Sequence, residues 1–188
     1  MRKFLPIILL ISATTTGVLS QEMAVPVGVQ HTLLMKVLAF DRTLQARGGD
    51  EIVIGVLYQS KYRPSLLAKD ELMSIAEATM QKINNTVVRW HPIDISVTGD
   101  MRASLTKHHV DILYVAPVRS VDIDVITSVC RASHILTLTG VSEFVEEGLA
   151  VGIGIKGKRP QIEINLAAAK AAGADFTSQL LKVAKIVE

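Results

Sequence analysis

The residues of this chain whose types could carry chemistry are few, and their spacing argues against a reaction centre. His108 and His109 suggest a metal site, with His31, His91 and His134 as further donors. Adjacent helical positions point about 100° apart, however, and no carboxylate or cysteine lies at ligand spacing. A solvated helix end is the expectation. Glu146 and Glu147 are a carboxylate pair, but neighbours on a turn form a solvated face rather than an acid–base dyad. Gly152, Gly154 and Gly157 fit G-x-G-x-x-G literally. The dinucleotide fingerprint needs those glycines between a strand and a helix N-terminus. Here they fall within one strand and its turn, with another strand following, so close packing explains them better.

Cys130, the single cysteine, lies four residues after Ile126 on an apolar stripe. It is expected to be a buried small hydrophobe, with an intermolecular disulfide as the alternative. Asn84-Asn85-Thr86 fits the glycosylation sequon, relevant only in a eukaryotic secretory pathway. No Ser-His-Asp order, G-x-S-x-G or paired strand-end carboxylates stand out. The chain reads as no enzyme, with neither cofactor nor metal.

Ligand- or partner-facing groups must then be sought where the fold presents loops. His31 to Ala46 has helical spacing through Leu34, Val37, Leu38 and Asp41, after an unpatterned lead-in at Gln21 to Gln30. Glu51 to Tyr58 is a near-continuous apolar run of the kind found in buried parallel strands. A helix runs from Pro64 to about Asn84, with Leu72, Ile75, Ala76, Met80 and Ile83 on its stripe. Val87 to Trp90 and Ile93 to Val97 read as a strand interrupted by Pro92, hence near an edge. Gly99 to His108 is a short helix, Val110 to Val115 a strand, Ser120 to Arg131 a helix. Ile135 to Leu138 is a strand and Ser142 to Glu146 a helical turn. Leu149 to Ile155 and Arg159 to Ile164 flank Lys156-Gly157-Lys158 as a hairpin. This alternation means an α/β class: a single three-layer domain, a mostly parallel sheet with a late antiparallel hairpin, and helices on both faces. Ligands of such sheets bind outside the carboxyl ends of the strands. Tyr58, Gln59, Lys61, Arg63 and Arg119 are the candidates there.

The first twenty residues read as a signal peptide. Arg2 and Lys3 precede the apolar run Phe4 to Ile11, and Val18 and Ser20 suit cleavage before Gln21. The run is short for a membrane span of about 20 residues. Arg2 and Lys3 are the only charges there, so the remaining 168 residues carry 18 bases and 18 acids. Neutrality removes the electrostatic case for nucleic acid or an anionic membrane surface. One cysteine in an exported chain excludes a disulfide scaffold, so the core must supply the stability.

The tail, Arg159 to Val187, is specified most fully. Ile162 and Ile164 share one strand face, with Gln161, Glu163 and Asn165 on the other. Asn165 can cap an Ala-rich helix that Gly173 ends. Thr177 can cap a second, with Leu180, Leu181, Ala184 and Val187 on one face. Glu163-Ile164-Asn165, Ala172-Gly173 and Ser178-Gln179-Leu180-Leu181-Lys182-Val183-Ala184 resemble the closing signature of the YfiR family of periplasmic proteins. Leu34 to Val37, Ile54 to Leu57 and Leu136 to Thr139 agree more loosely, so the likeness spans about residues 31 to 187. It implies a YfiR-like domain over residues 31–188, with Glu163, Asn165, Gly173, Leu180 and Leu181 as structural signature positions.

The resemblance also implies a non-catalytic protein that restrains an inner-membrane diguanylate cyclase or sensor protein through that partner's periplasmic region. Cyclic-di-GMP signalling and biofilm formation would follow, and a homodimer is a further implication. Redox gating by cysteine pairs, a property of some members, does not carry over to a chain with Cys130 alone. The alternative function is a periplasmic small-molecule-binding receptor that uses the strand-end loops as its pocket.

Overall fold

The apolar octad Glu51–Tyr58 forms strand β1, buried from Ile52 to Leu57. Its alternate side chains feed two cores: Ile52, Ile54 and Val56 on one face, Val53 and Leu57 on the other. This computed structural model describes residues 23–78 and 80–188. The expected signal peptide, residues 1–20, lies outside them.

In chain order the elements are α1 (Val27–Ala39), α2 (Leu44–Gly48), β1, α3 (Arg63–Ala78), β2 (Gln81–Ile83) and β3 (Thr86–Asp94). Then come α4 (Met101–Lys107), β4 (Ile112–Val115), α5 (Ile123–Ala132), β5 (Leu136–Thr139) and α6 (Ser142–Glu146). The chain closes with β6 (Val151–Lys156), β7 (Arg159–Asn165), α7 (Leu166–Ala171), α8 (Ser178–Leu181) and β8 (Lys185–Val187). One eight-stranded sheet runs β2-β3-β1-β4-β5-β6-β7-β8. Strands β3, β1, β4, β5 and β6 are parallel, and β6–β7 is the antiparallel hairpin. Helices α1, α3, α7 and α8 supply Leu34, Leu72, Ala169 and Leu180 to one core, while α4, α5 and α6 supply Leu105, Ile126 and Phe144 to the other. The fold is α/β with three layers, as the alternation of elements requires.

Several local readings change. Within the described part of the lead-in, from Met23 on, α1 already begins at Val27 and Gln30 is buried. The Gln30 amide donates to Val25 O at 2.6 Å and accepts from the Tyr114 hydroxyl at 2.9 Å, which satisfies both ends inside the core. Gly140 makes room for it, since a Cβ there would lie 1.9 Å from Gln30 Oε1.

The first helix stops at Ala39 because Asp41 turns the chain. Its Oδ1 accepts from Thr43 N at 3.0 Å and Thr43 Oγ1 at 2.8 Å, a side-chain mimic of a turn. The third helix ends at Ala78, and Met80 is 75% exposed rather than on a buried stripe. Gln81 to Ile83 instead form β2, antiparallel to β3 across Asn84 and Asn85 at φ 47° and 73°. Positive φ at both central residues is the hairpin turn that Asn tolerates best among side-chain-bearing residues. Strand β3 passes unbroken through Pro92, and residues 95–97 lie beyond it. Strand β2 pairs only Thr86 to Val88, so Pro92 falls where β3 is the sheet edge and a missing donor is tolerated.

The tail keeps its caps and loses its second long helix. Asn165 Oδ1 accepts from Ala168 N at 2.9 Å, and Gly173 takes φ 83°. Thr177 caps α8, which ends after Leu181, with Leu180 buried and Leu181 half-buried. After a turn, Lys185–Val187 form β8, parallel to β7 through Glu163–Lys185, Ile164–Ile186 and Asn165–Val187. Pairing with an exposed β7 edge satisfies backbone groups that one more solvated helical turn would leave to water.

Candidate functional site

Strand β1 pairs with β3 on one side and β4 on the other, so the crossovers leaving β1 and β3 diverge at this point in the sheet. The carboxyl ends of β1, β3 and β4 open there into three loops that line a cleft of about 380 Å³. Its walls are Gln59, Lys61, Tyr62, Ser96, Arg119 and Ser120.

The loops are laced together by side chains gripping backbone. Gln59 Nε2 donates to Arg119 O at 3.0 Å, and Arg119 N donates to Gln59 Oε1 at 2.6 Å. Both polar ends of Gln59 are thereby committed to the loop after β4. Asp94, the last residue of β3, accepts from Ser60 N at 3.2 Å and Ser96 N at 2.9 Å. Burial alone would raise this carboxyl, but the hydrogen bonds from Ser60 and Ser96 outweigh it and hold Asp94 below its ordinary value. The Gln59 backbone N–H donates to the buried Ser65 hydroxyl at 2.9 Å, anchoring the same loop to α3. Ser120 sits at φ 55°, a left-handed conformation that a non-glycine residue adopts only where its surroundings impose it.

Of the five sequence candidates, Gln59, Lys61 and Arg119 meet in this cleft, while Tyr58 and Arg63 do not line it. Tyr58 turns towards the α1/α3 core, with Lys69 Nζ 5.1 Å from its ring centre. Arg63 opens α3. Ser96 escaped sequence reading because residues 95–97 look like strand; the Asp94-x-Ser96 turn pattern was the available signal.

The remaining constellations occupy structural places. Rings of His91 and His108 stack with centres 3.7 Å apart, and burial, with His108 and Lys107 nearby, pulls His91 below its ordinary pKa. Among the described residues no group of three His, Cys, Asp or Glu is placed to hold a metal. Burial pushes the Cys130 thiol up to about 12, and the side chain is 1% exposed. It is therefore an inert core group rather than a nucleophile or a bridge between chains. Gly152 and Gly154 are packing glycines. A Cβ on Gly152 would lie 2.3 Å from Val145 Cγ2, and one on Gly154 would lie 2.9 Å from the Glu163 carboxyl carbon.

Glu163 itself is buried, not on a solvated strand face, and accepts hydrogen bonds from Ser142 Oγ and, at 3.1 Å, Lys185 Nζ. It ties α6, β7 and β8 together. A second concave surface of about 350 Å³ lies beside the β6–β7 turn, lined by Leu33, Lys156, Arg159, Pro160, Ile162 and Val183.

The laced strand-end cleft sits on a three-layer α/β domain with a mostly parallel sheet. The chain matches the YfiR/HmsC-like family over residues 29–185 and belongs to it. No curated protein matches it. Among solved structures it is similar to a conserved domain protein from Vibrio cholerae, at TM-score 0.60 and 13% identity over 87% of this chain and 60% of that one. An ABC domain in complex with L-Trp from Streptococcus pneumoniae matches at TM-score 0.56 and 16% identity, over 82% of this chain and 61% of that one. A ligand-free substrate-binding protein with adhesive properties from Clostridium difficile gives 0.53 and 18%, covering 78% and 57%. At these identities the likeness concerns the fold, and this chain spans about three fifths of each neighbour's length.

Proposed function

We propose that this protein is a non-catalytic periplasmic regulator that binds the periplasmic region of an inner-membrane diguanylate cyclase or sensor protein and holds it inactive. The observation that carries the reading is membership of the YfiR/HmsC-like family across residues 29–185. The apolar, basic-leader pattern of residues 1–20 supports export, and among the described residues no helix is long and apolar enough to cross a membrane.

The physical mechanism is population shift. A regulator that binds the inactive state of its partner more tightly biases the equilibrium by that difference in affinity. Moving a partner from mostly active to mostly inactive needs about a 10⁴-fold preference. Deleting the gene should raise cellular cyclic-di-GMP and biofilm mass, and complementation should restore both. Unchanged cyclic-di-GMP on deletion would sink this reading.

A second reading, a periplasmic receptor for a small molecule, is favoured by the strand-end cleft, whose volume lies within the range of ligand pockets. The two readings are compatible if a bound ligand alters affinity for the partner.

A further inference from the structure

We propose that the cleft between the loops after β1, β3 and β4 binds a small organic anion, with Arg119 and Lys61 clamping its carboxylate or phosphate. This deepens the receptor reading above by naming the class of ligand, and does not depend on which protein the regulator binds.

The argument starts from which groups the fold has already committed. Gln59, the only carboxamide among the described residues lining the cleft, is engaged at both ends by the Arg119 backbone. Its work is to position Arg119 rather than to read a ligand. The carboxylates on these loops are likewise taken. Asp94 accepts from Ser60 N and Ser96 N, Asp100 from Ala103 N, and Asp122 from Asp124 N. None of them pairs with Lys61 or Arg119, and among the described residues neither cation has any carboxylate within salt-bridge distance.

Two like charges separated by 58 positions in sequence are therefore brought to one concavity, with no carboxylate of the described residues within salt-bridge distance of either. An anion that enters the cleft is attracted by both charges. An Arg guanidinium presents a fork that matches a carboxylate or phosphate, and a Lys ammonium beside it adds a mobile point charge. The Tyr62 and Ser120 side chains complete the lining and offer a ring face and hydroxyls to the rest of the ligand. Ser120 at φ 55° sits directly after Arg119, so the local backbone is held in an uncommon conformation at the point where the clamp is built. A volume of about 380 Å³ exceeds the needs of an inorganic ion and suits a compact organic body.

The test uses the purified full chain and four probes at matched ionic strength: succinate, glycerol 3-phosphate, inorganic phosphate and neutral glycerol. Titration calorimetry and thermal shift should show at least one organic anion binding with Kd below about 1 mM, since a ligand of the native state must raise the melting temperature. Succinate and glycerol 3-phosphate separate a carboxylate site from a phosphate site. Lys61→Glu and Arg119→Glu should each weaken binding at least 10-fold, and Arg119→Lys should weaken it less. Lys156→Glu with Arg159→Glu, at the distant β6–β7 turn, should leave binding unchanged. Both cleft residues are exposed, so unaltered melting of the free variants is the expected control.

Glycerol binding as well as glycerol 3-phosphate, no binding by either organic anion, or full affinity in the Lys61 and Arg119 variants would each overturn the proposal. The regulator reading stands or falls separately, on cyclic-di-GMP in the deletion strain.

Discussion

Replacing Asp41 tests how the chain's two ends are joined. The Asp41 side chain is fully buried and its carboxylate pairs with Arg47, itself only 19% exposed. It also accepts from Thr43 N, Thr43 Oγ1 and Asp175 N at 3.0, 2.8 and 3.0 Å. Around it Arg42 N donates to Asp175 O at 3.0 Å and Thr177 N to Phe40 O at 3.1 Å, so the α1–α2 corner and the α7–α8 loop form one unit. Asp41→Ala removes the acceptor of four donors and leaves a mostly buried guanidinium without its counter-charge. Removing one member of a buried pair typically costs about 3–5 kcal/mol. That is a large share of the roughly 5–15 kcal/mol that holds a domain folded. At about 2–4 °C per kcal/mol for a domain of this size, melting should fall by about 6–20 °C. Asp41→Asn, which keeps a carbonyl oxygen for the Thr43 and Asp175 amides, should lose less. Urea and thermal unfolding followed by circular dichroism measure all three proteins. The double variant Asp41→Ala, Arg47→Met removes the stranded charge and should recover part of the loss. If Asp41→Ala unfolds within about 1 kcal/mol of wild type, or the double variant is worse than additive, the buried-pair argument is wrong.

Three further outcomes are expected. Gly152→Ala places a Cβ 2.3 Å from the buried Val145 Cγ2, and urea unfolding should show a loss of about 1–3 kcal/mol from overpacking. His91 has a folded pKa below its unfolded value, because burial and the neighbouring His108 and Lys107 disfavour its charge. The unfolded chain then binds the extra proton first, so stability should fall as pH drops through about 6.5 and level off below the folded pKa. Unfolding midpoints between pH 5 and 8 should flatten in His91→Phe; an unchanged slope would remove His91 as the cause. Cys130, with its thiol pushed up to about 12 and its side chain buried, should resist iodoacetamide at pH 8 in the native state and react fully in denaturant. Native labelling at the rate of a free thiol would contradict the burial.

Much of the architecture was legible in the sequence because it rests on local chemistry. The octad Glu51 to Tyr58 has the uninterrupted apolar character that only a strand covered on both faces needs. Asn165 and Thr177 cap α7 and α8 through side-chain oxygens that reach amides three residues on. Lys156-Gly157-Lys158 turns β6 into β7, and Gly157 takes the φ of 64° that the turn demands. The Asn165 and Thr177 caps of the tail followed from the same rules, while its resemblance to a family's closing signature led to the family that the chain matches.

What the sequence could not supply depends on partners distant along the chain. Asp41 fits a helical stripe by spacing, yet its oxygens serve Thr43, Arg47 and Asp175, the last 134 positions away. Lys185 to Val187 continue a helical pattern, but a free β7 edge offered hydrogen bonds that made them a strand. Glu163 alternates as a solvent-facing strand residue and is buried because α6 and β8 close over it. The same holds at the cleft. Strand-end logic located its loops from the sequence, since ligands meet parallel sheets there. Only the tertiary structure turned Tyr58 to the core, brought Ser96 into the cleft, and closed Gln59 onto Arg119. Periodicity records which side of its own element a residue faces. It carries no record of which element will arrive opposite, and here that arrival decided whether a polar side chain became a cap, a buried brace or part of the cleft wall.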